Sequence, residues 1–337
     1  MKKKGLVLLL ITVLLLAACG RPSDGGDAEE GTSEDAKTIR LAYLVSEEQS
    51  THIAAEDFKE KIEDKSDGRL KVELYPNGSL YGSDREAIEA VQLGNVEMTI
   101  PALAAVSSFN QKFMVFDLPF LFNNHEEAYE VLDGDLGQEL LDELSDKDLK
   151  GLVYAENGFR HITNDEGPVE KPADLKGSKL RTMESAVQTD SFKAFGANAS
   201  PFAFGELYTA LQQGTYDSME NPISLIYTNK FYEVQDYLTL SSHFYAPTIL
   251  VMNDDFYNDL PEDLQDLVME TSEEYREEQR ELAQEQDEEW LEQLKEEGME
   301  VNELSEDQKE EFKKASESIY DKYSDQIGED VIDRARN

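Results

Sequence analysis

The chain has 337 residues, of which 39% are apolar, so it is long enough and apolar enough for two domains with a sizeable core. It carries 73 Asp and Glu against 31 Lys and Arg, a net charge of −42. Such a field repels nucleic acid and anionic lipid, so neither is expected as a partner, and we interpret most of the charge as a solvated surface.

The N-terminus has the pattern of an export signal. "MKKKGLVLLLITVLLLAACG" places three lysines before an apolar run and small residues before Cys19. An ordinary cleaved signal or a single membrane anchor is the alternative, but the run is short for a span. Residues 16–20 also resemble a bacterial lipobox, which implies cleavage before Cys19 and acylation of its thiol. Loss of residues 1–18, the expected signal peptide, leaves 28 basic against 73 acidic residues, a net charge of −45.

Residues 19–37 are rich in glycine, serine and acids, which predicts a flexible acidic stalk. The protein is therefore expected at the cell membrane, anchored by lipid on the extracytoplasmic face. Cys19 is the only cysteine, so neither an intrachain disulfide nor a cysteine-based metal site is expected.

The residues after the stalk predict strands that alternate with helices. Alternating apolar residues predict a strand at 38–45, and apolar residues four apart predict a helix that ends at Gly68. "LKVELYPNG" predicts a second strand and turn. Ser83 followed by Glu86 is a capping box that opens a helix, which Gly94 stops before the strand "VEMTI". This β-α-β-α-β order favours a mostly parallel sheet with helices on its faces.

A second α/β unit is predicted to follow a helix near 125–144. Its strands are "LKGLVYA", "KLR", "TYDSME" and the apolar run at 246–253, and its helices each end at a glycine. From Pro261 onward the sequence predicts mainly helix, including one long acidic helix with a thin apolar seam. A coiled-coil partner or a solvated surface helix would explain that seam, and poor heptads favour the second.

No catalytic constellation stands out in the sequence. The four histidines show no metal-ligand spacing, and neither a G-x-S-x-G elbow nor a P-loop is present. Acidic residues are too numerous for any pair to be informative. No cofactor and no metal are therefore expected, although an enzyme is not excluded.

Three polar residues follow predicted strands of the second unit: Arg160, Arg181 and Asn221. Open α/β sheets bind ligands at the carboxyl ends of their strands, so these side chains could converge on a crevice. Arginine can hold a carboxylate through two parallel hydrogen bonds, which lysine cannot. From position alone, each arginine could equally pair with one of the protein's own acids.

Six segments stand in an order that resembles a known family. They are "YPNGSLYGSDREAIEAVQLGNVEMT", "FDLPFLF", "GFRHITN", "PADLKGSKLRTM", "FGELYTALQQGTYDSMENP" and "NKFYEVQDYLTLSSH". The chain resembles the substrate-binding proteins of tripartite ATP-independent periplasmic (TRAP) transporters, of the dicarboxylate-binding (DctP) type, over about residues 38–325. "ENGFRHITN" and "FYEVQDYLTLSSHFYAPTILV" are most similar to the branch with 2,3-diketogulonate and hexuronate binders.

The resemblance implies roles for particular residues. The family's carboxylate-clamping arginine corresponds to Arg181, its second ligand arginine to Arg160, its ligand asparagine to Asn221 and its pocket aromatic to Phe204. The resemblance therefore implies that both arginines bind the carboxylate of an external ligand. Arg160→Lys and Arg181→Lys are each expected to leave the protein folded.

Residues of the first lobe are matched less closely. Glu48 and His52 lie where the branch places first-lobe contacts, whereas Glu86 is interpreted as a helix cap. Sialic-acid binders carry a glutamate after the third strand, where this chain has "TIPALAA", which argues against sialic acid.

The implied fold is α/β, with two periplasmic-binding-protein-like lobes, a hinge and a ligand cleft. Lobe I would comprise 38–157 plus about 247–286, and lobe II 158–246 plus about 287–337.

The implied function is capture of a small organic acid, such as a hexuronate or diketogulonate, for delivery to TRAP permease subunits. A C4-dicarboxylate or 2-oxo acid is the alternative ligand. An exported enzyme acting on uronates, or a sensory module for a receptor kinase, would be a function of another class.

Overall fold

The computed structural model describes residues 36–336, so the predictions for the signal peptide, for Cys19 and for nearly all of the stalk lie outside the described residues. Within this range nine strands form one mixed sheet: β1 (Lys37–Ala42), β2 (Leu70–Tyr75), β3 (Met98–Thr99), β4 (Leu149–Asn164), β5 (Leu180–Thr182), β6 (Ser200–Pro201), β7 (Ser218–Pro222), β8 (Tyr237–Asn253) and β9 (Glu300–Glu303).

Twelve α-helices accompany these strands in the same range: α1 (Ser50–Lys65), α2 (Asp84–Gln92), α3 (Leu103–Val106), α4 (His125–Asp133), α5 (Asp135–Glu143), α6 (Ala186–Ala194), α7 (Leu207–Gln212), α8 (Ile223–Thr228), α9 (Asp254–Asn258), α10 (Glu262–Glu296), α11 (Glu306–Ile327) and α12 (Glu329–Ala335). The predicted α/β class is confirmed.

The strand order is β2-β1-β3-β8-β4-β7-β5-β6, with β9 paired to β8. The first three strands are parallel, as predicted, and β5 is parallel to β6 and β7. The centre of the sheet differs from the prediction, because β8 is antiparallel to β3 and β4, and β4 is antiparallel to β7. Two parallel groups of strands therefore flank a long antiparallel pair.

The long pair β4 and β8 connects the two halves of the sheet. Their pairing continues from Leu149 with Asn253 to Asn164 with Tyr237, with register shifts around Gly158. The sequence predicted a strand that stops before Gly158, but the structure has a β-bulge there, where this glycine adopts a φ of 101°. Since a bulge bends a strand without ending it, Arg160 lies inside β4 and not after it.

Helices cover both faces of each half. In the first half, alternate residues of β8 separate into two cores, with Ile249 and Val251 on one face and Leu250 and Met252 on the other. The second half has two further cores. The helix α10 runs along both halves, and its apolar seam is buried in cores of this chain, which explains the seam without a coiled-coil partner.

The C-terminal helices return to the first half of the sheet. Phe312 at the start of α11 packs in a core of the second half. Further along, Ile319, Tyr323, Ile327 and Val331 pack in a core of the first half. The expected assignment of all of 287–337 to lobe II therefore does not match where these side chains pack.

Candidate functional site

A cavity lies where the two halves of the sheet meet. It encloses about 680 Å³ of empty space, including its opening to solvent. The first half lines it with residues that follow β1 and β3 and with the first turns of α1 and α2. The second half adds β4, β5, β7 and the loops after β5 and β6. The polar residues among them are Thr51, Ser83, Asp84, Asn157, Arg160, Arg181, Glu184, Asn221 and Thr248.

Arg160 lies in β4 beside β7, and its side chain is completely buried. Its Nε donates a hydrogen bond to the Glu220 carboxylate. Its Nη2 donates to Glu220 Oε1 at 2.9 Å, to the Glu220 carbonyl at 2.8 Å and to Asn221 Oδ1 at 3.1 Å. The third nitrogen, Nη1, is buried and has no partner among the described residues. Arg160 therefore pairs with an acid of the protein and still offers one donor to the cavity.

The Glu220 carboxylate is held as an anion beneath this arginine. Burial alone would raise its pKa, but the charge and hydrogen bonds of Arg160, together with the His243 ring 3.6 Å away, outweigh burial and lower the pKa to about 2. Removing Arg160 would leave a buried, unpaired carboxylate, which typically costs ~3–5 kcal/mol. The expectation that Arg160→Lys stays folded because it lies at a strand end is therefore corrected: this arginine is part of a buried ion pair inside a strand.

Arg181 lies in the middle of β5 and is 2% exposed. Its Nε donates to the Phe202 carbonyl at 2.9 Å, and its guanidinium lies 5.9 Å from the centre of the Phe204 ring. No ion pair joins it to an acid in the part of the chain that the structure describes, and its Nη1 is buried without a partner. Burial, reinforced by the nearby charge of Arg160, lowers its pKa to about 10, which still leaves it charged.

Asn221 and Phe204 complete the predicted group. The Asn221 amide is fixed at both ends, because its oxygen accepts from Arg160 and its nitrogen donates to the Met219 sulfur at 3.1 Å. Phe204 lies next to Arg181, so an apolar ring and a charged guanidinium line the same part of the cavity. The structure thus brings all four second-half residues of the prediction to one cavity, although their binding role stays a prediction.

The structure does not bring Glu48 and His52 to this cavity. Glu48 is exposed, and its backbone carbonyl accepts from Gln286 at 2.9 Å. The His52 ring makes a 2.6 Å hydrogen bond with the Tyr43 hydroxyl and lies 3.6 Å from the Glu56 carboxylate. One residue earlier, Thr51 does line the cavity, because a turn of helix directs neighbouring side chains to different faces.

Sequence reasoning missed Asp84, the first residue of α2. The helix begins where predicted, with the Ser83 side chain accepting from the Glu86 backbone and the Glu86 carboxylate accepting from the Gly82 backbone. An acid in a first turn is ordinary, so nothing in the sequence distinguished Asp84. Its Oδ2 accepts from the Ala102 backbone at 3.3 Å, and burial raises its pKa to about 7 despite the opposing charge of Arg181.

Asn157 and Thr248 were also missed, since they come from β4 and β8 at the bulge that the sequence did not predict. Asn157 Oδ1 accepts from Gln49 at 3.4 Å. Thr248 Oγ1 is buried without a partner among the described residues. The site therefore combines two guanidinium donors with several groups that suit hydroxyls.

Within residues 36–336, no cluster of histidine, cysteine or acidic side chains has the arrangement of a metal site. Over the same range, no helix is both long and apolar enough to cross a bilayer.

Comparison with known proteins gives consistent matches. Residues 41–326 match the model of bacterial extracellular solute-binding protein, family 7 (DctP). The chain is 36% identical over 307 residues to the C4-dicarboxylate-binding protein DctB of Bacillus subtilis, which covers 91% of this chain and 87% of the relative. It is 35% identical over 266 residues to the 2,3-diketo-L-gulonate-binding periplasmic protein YiaO of Escherichia coli, covering 79% and 81%.

A solved structure extends the match to three dimensions. The sugar acid binding protein DctPAm of Advenella mimigardefordensis, in complex with galactonate, aligns with a TM-score of 0.87 at 38% identity, covering 89% of this chain and 97% of that one. The sheet with its long central pair, the cavity and the sequence matches agree, and this chain belongs to family 7 of the bacterial extracellular solute-binding proteins.

Proposed function

We propose that this protein captures a small organic acid outside the cytoplasm and delivers it to the membrane subunits of a TRAP transporter. The observation that carries the proposal is the pair of buried guanidinium atoms at the cavity, Nη1 of Arg160 and Nη1 of Arg181, which have no partner among the described residues. Buried donors without partners are costly, so their presence indicates an external acceptor. A carboxylate has the charge and the two oxygens to meet both.

The proposed ligand is a sugar acid, such as a hexuronate or a diketogulonate. One relative is named for 2,3-diketo-L-gulonate, and one solved relative holds galactonate. The cavity adds hydroxyl-binding groups, Asn157 and Thr248, to the arginines. A C4-dicarboxylate is the alternative ligand, since another relative carries that name.

We further propose that binding is accompanied by closure of two lobes. Only β4 and β8, with the helices that run alongside them, cross between the halves in the described chain, and both strands carry the bulged region around Gly158. The backbones of Gly82 and Gly205 meet from opposite halves: a Cβ on Gly205 would lie 3.0 Å from the Gly82 carbonyl. Lobe I is then 38–157 plus about 247–286, joined by the end of α11 and by α12, and lobe II is the remainder.

A thermal-shift screen of organic acids tests the proposed function. A ligand present at 100 times its Kd adds ~2.7 kcal/mol to the free energy of unfolding, which is readily detected as a higher midpoint temperature. We expect sugar acids to stabilise the protein and the matched neutral sugars to have no effect. If no acid stabilises it, the proposal is wrong. An exported enzyme acting on uronates is the candidate of another class, and product formation in a turnover assay would favour it.

The lipid anchor is a separate proposal that rests on the lipobox-like residues before Cys19. Cys19→Ser cannot form the thioether to diacylglycerol, so we expect release into the medium or unprocessed precursor. Normal processing and retention of this variant would contradict the anchor and leave the binding function unaffected.

A further inference from the structure

We propose that the cavity selects acids with a single carboxylate over dicarboxylates, and that Asp84 is a residue that sets this preference. The inference rests on the proposed function and specifies the class of ligand. The relatives do not decide the point, since one is named for C4-dicarboxylates and another holds galactonate.

The first step is the balance of charge around the cavity. Its described lining has two cations, Arg160 and Arg181, and two acids, Asp84 and Glu184. Arg160 is already neutralised by Glu220, which lies behind it. Of these two cations, only Arg181 has no ion pair within the described chain. A second carboxylate would therefore find no unpaired cation in the described lining.

The second step is the environment that a second carboxylate would meet. Apart from the arginines, the charged groups that line the described cavity are Asp84 and Glu184, and the charge of Glu184 itself acts on Asp84. Glu184 is exposed, so water screens its charge, whereas Asp84 is half-buried and its carboxyl group has a pKa of about 7. A second ligand carboxylate beside Asp84 must either be repelled by the Asp84 anion or force Asp84 to bind a proton. At pH 8, one unit above that pKa, either outcome should weaken a dicarboxylate by about tenfold, or ~1.4 kcal/mol.

The third step is that the same groups favour hydroxyls. One carboxylate oxygen of Asp84 accepts a hydrogen bond from the Ala102 backbone, and its other oxygen has no hydrogen-bond partner among the described residues. A carboxylate that accepts from a hydroxyl makes a charge-assisted hydrogen bond. Thr248 Oγ1, buried without a described partner, can donate or accept. Asp84 and Thr248 thus match hydroxyl groups of a ligand whose carboxylate is held by Arg181.

The test uses two pairs of acids that differ only in their last carbon. Galactarate is galactonate with a second carboxylate in place of the terminal CH₂OH, and meso-tartrate bears the same relation to D-erythronate. Isothermal titration of the wild type at pH 8, where Asp84 is mostly charged, should give a Kd about tenfold lower for the monocarboxylate than for the dicarboxylate in the pair that fits the cavity. Asp84→Asn keeps the size and removes the charge, so it should reduce that ratio several-fold and weaken the monocarboxylate as well. Glu89→Gln, the corresponding carboxylate-to-amide change on a half-buried residue of α2 that pairs with Arg85 and does not line the cavity, should leave the ratio unchanged.

Three results would overturn the inference. The first is that one of the two dicarboxylates binds within about threefold of its monocarboxylate partner. The second is that Asp84→Asn leaves the ratio as it is in the wild type, and the third is that neither monocarboxylate binds. The proposed function has its own outcome: if a dicarboxylate binds best and Arg181→Lys abolishes that binding, the receptor function stands and the single-carboxylate inference alone is wrong.

Discussion

Arg181→Lys is the sharpest perturbation of the proposed clamp. Lysine keeps the positive charge but removes the planar fork and its fixed donors. In the structure the fork is held in place by the hydrogen bond from Nε to the Phe202 carbonyl and by the neighbouring Phe204 ring, which leaves Nη1 unpartnered at the cavity. A lysine ammonium has a single nitrogen, so it cannot donate to the Phe202 carbonyl from one nitrogen while a second nitrogen, fixed in the same plane, meets the ligand carboxylate.

The expected loss follows from the burial of the site. Cutting one side of a buried, hydrogen-bonded charge pair costs ~2–5 kcal/mol, because the ligand carboxylate is left underpaired. That corresponds to roughly 30-fold to several-thousand-fold in Kd. The effect on the ligand-free protein should be small, since the single protein hydrogen bond lost, to Phe202, is worth ~1 kcal/mol.

Isothermal titration with galactonate, together with urea unfolding of the free protein, separates binding from folding. If Arg181→Lys binds within about threefold of the wild type, the clamp lies elsewhere and Arg181 is an ordinary structural residue. A second variant gives an independent readout. Burial lowers the pKa of Arg181 to about 10, a shift equivalent to an unfavourable contribution on the order of 3 kcal/mol. Arg181→Met should therefore bind no acid and yet be more stable than the wild type when free of ligand.

Three further changes test other parts of the site. Glu220→Gln should lower the free energy of unfolding by ~3–5 kcal/mol at pH 7, because Arg160 loses its buried counter-ion. Folding lowers the pKa of Glu220 from 4.5 to about 2, so this loss of stability should have its full size above pH 4.5 and disappear as the pH falls through 2. Gly205→Ala should weaken galactonate binding by about 1 kcal/mol, or roughly fivefold, through faster dissociation, because its Cβ meets the Gly82 carbonyl at 3.0 Å; Gly82→Ala, whose Cβ has only an ordinary 3.7 Å contact, is the control, and equal Kd values in the two would contradict the closure. Burial raises the pKa of Asp287 to about 8, so the contribution of Asp287 to stability declines as the pH rises toward 8, by at most ~1.4 kcal/mol per pH unit. Asp287→Asn should therefore raise the midpoint temperature more at pH 8 than at pH 5, and an equal effect at both pH values would refute this.

Local patterns in the sequence predicted much of the fold correctly. The alternating apolar residues of β1 and β2, and the Ser83 cap of α2, depend on neighbours in the chain, and such signals are readable without the tertiary structure. The bulge at Gly158 was not predicted. A glycine after an apolar run can mark either a turn or a bulge, and only the pairing of β4 with β8 and β7 shows that it is a bulge here. Arg160 was placed after a strand for this reason.

The site shows the same division between local and long-range information. Family motifs brought Arg160, Arg181, Asn221 and Phe204 together, and all four lie at the cavity. Asp84 was missed because its role depends on the opposite half of the sheet, from which Arg181 acts on its charge. The partner of Arg160 could not be identified among 73 acids, since Glu220 lies 60 residues further along and meets it only through the β4–β7 pairing.

The ion pair with Glu220 explains how two buried arginines can share one cavity. Side by side and unpaired, their charges would repel, and the charge of Arg160 does contribute to lowering the pKa of Arg181. Glu220 holds Arg160 in a fixed orientation and neutralises it, so Nη1 of Arg160 acts as a donor that adds little net charge. Arg181 then supplies the unbalanced positive charge. A strongly acidic protein can attract an acid in this way, because a desolvated arginine is screened far less by salt than the acids on its surface. Arg160 is consequently both a structural ion-pair residue and a proposed ligand donor, and these two interpretations of the same side chain are compatible.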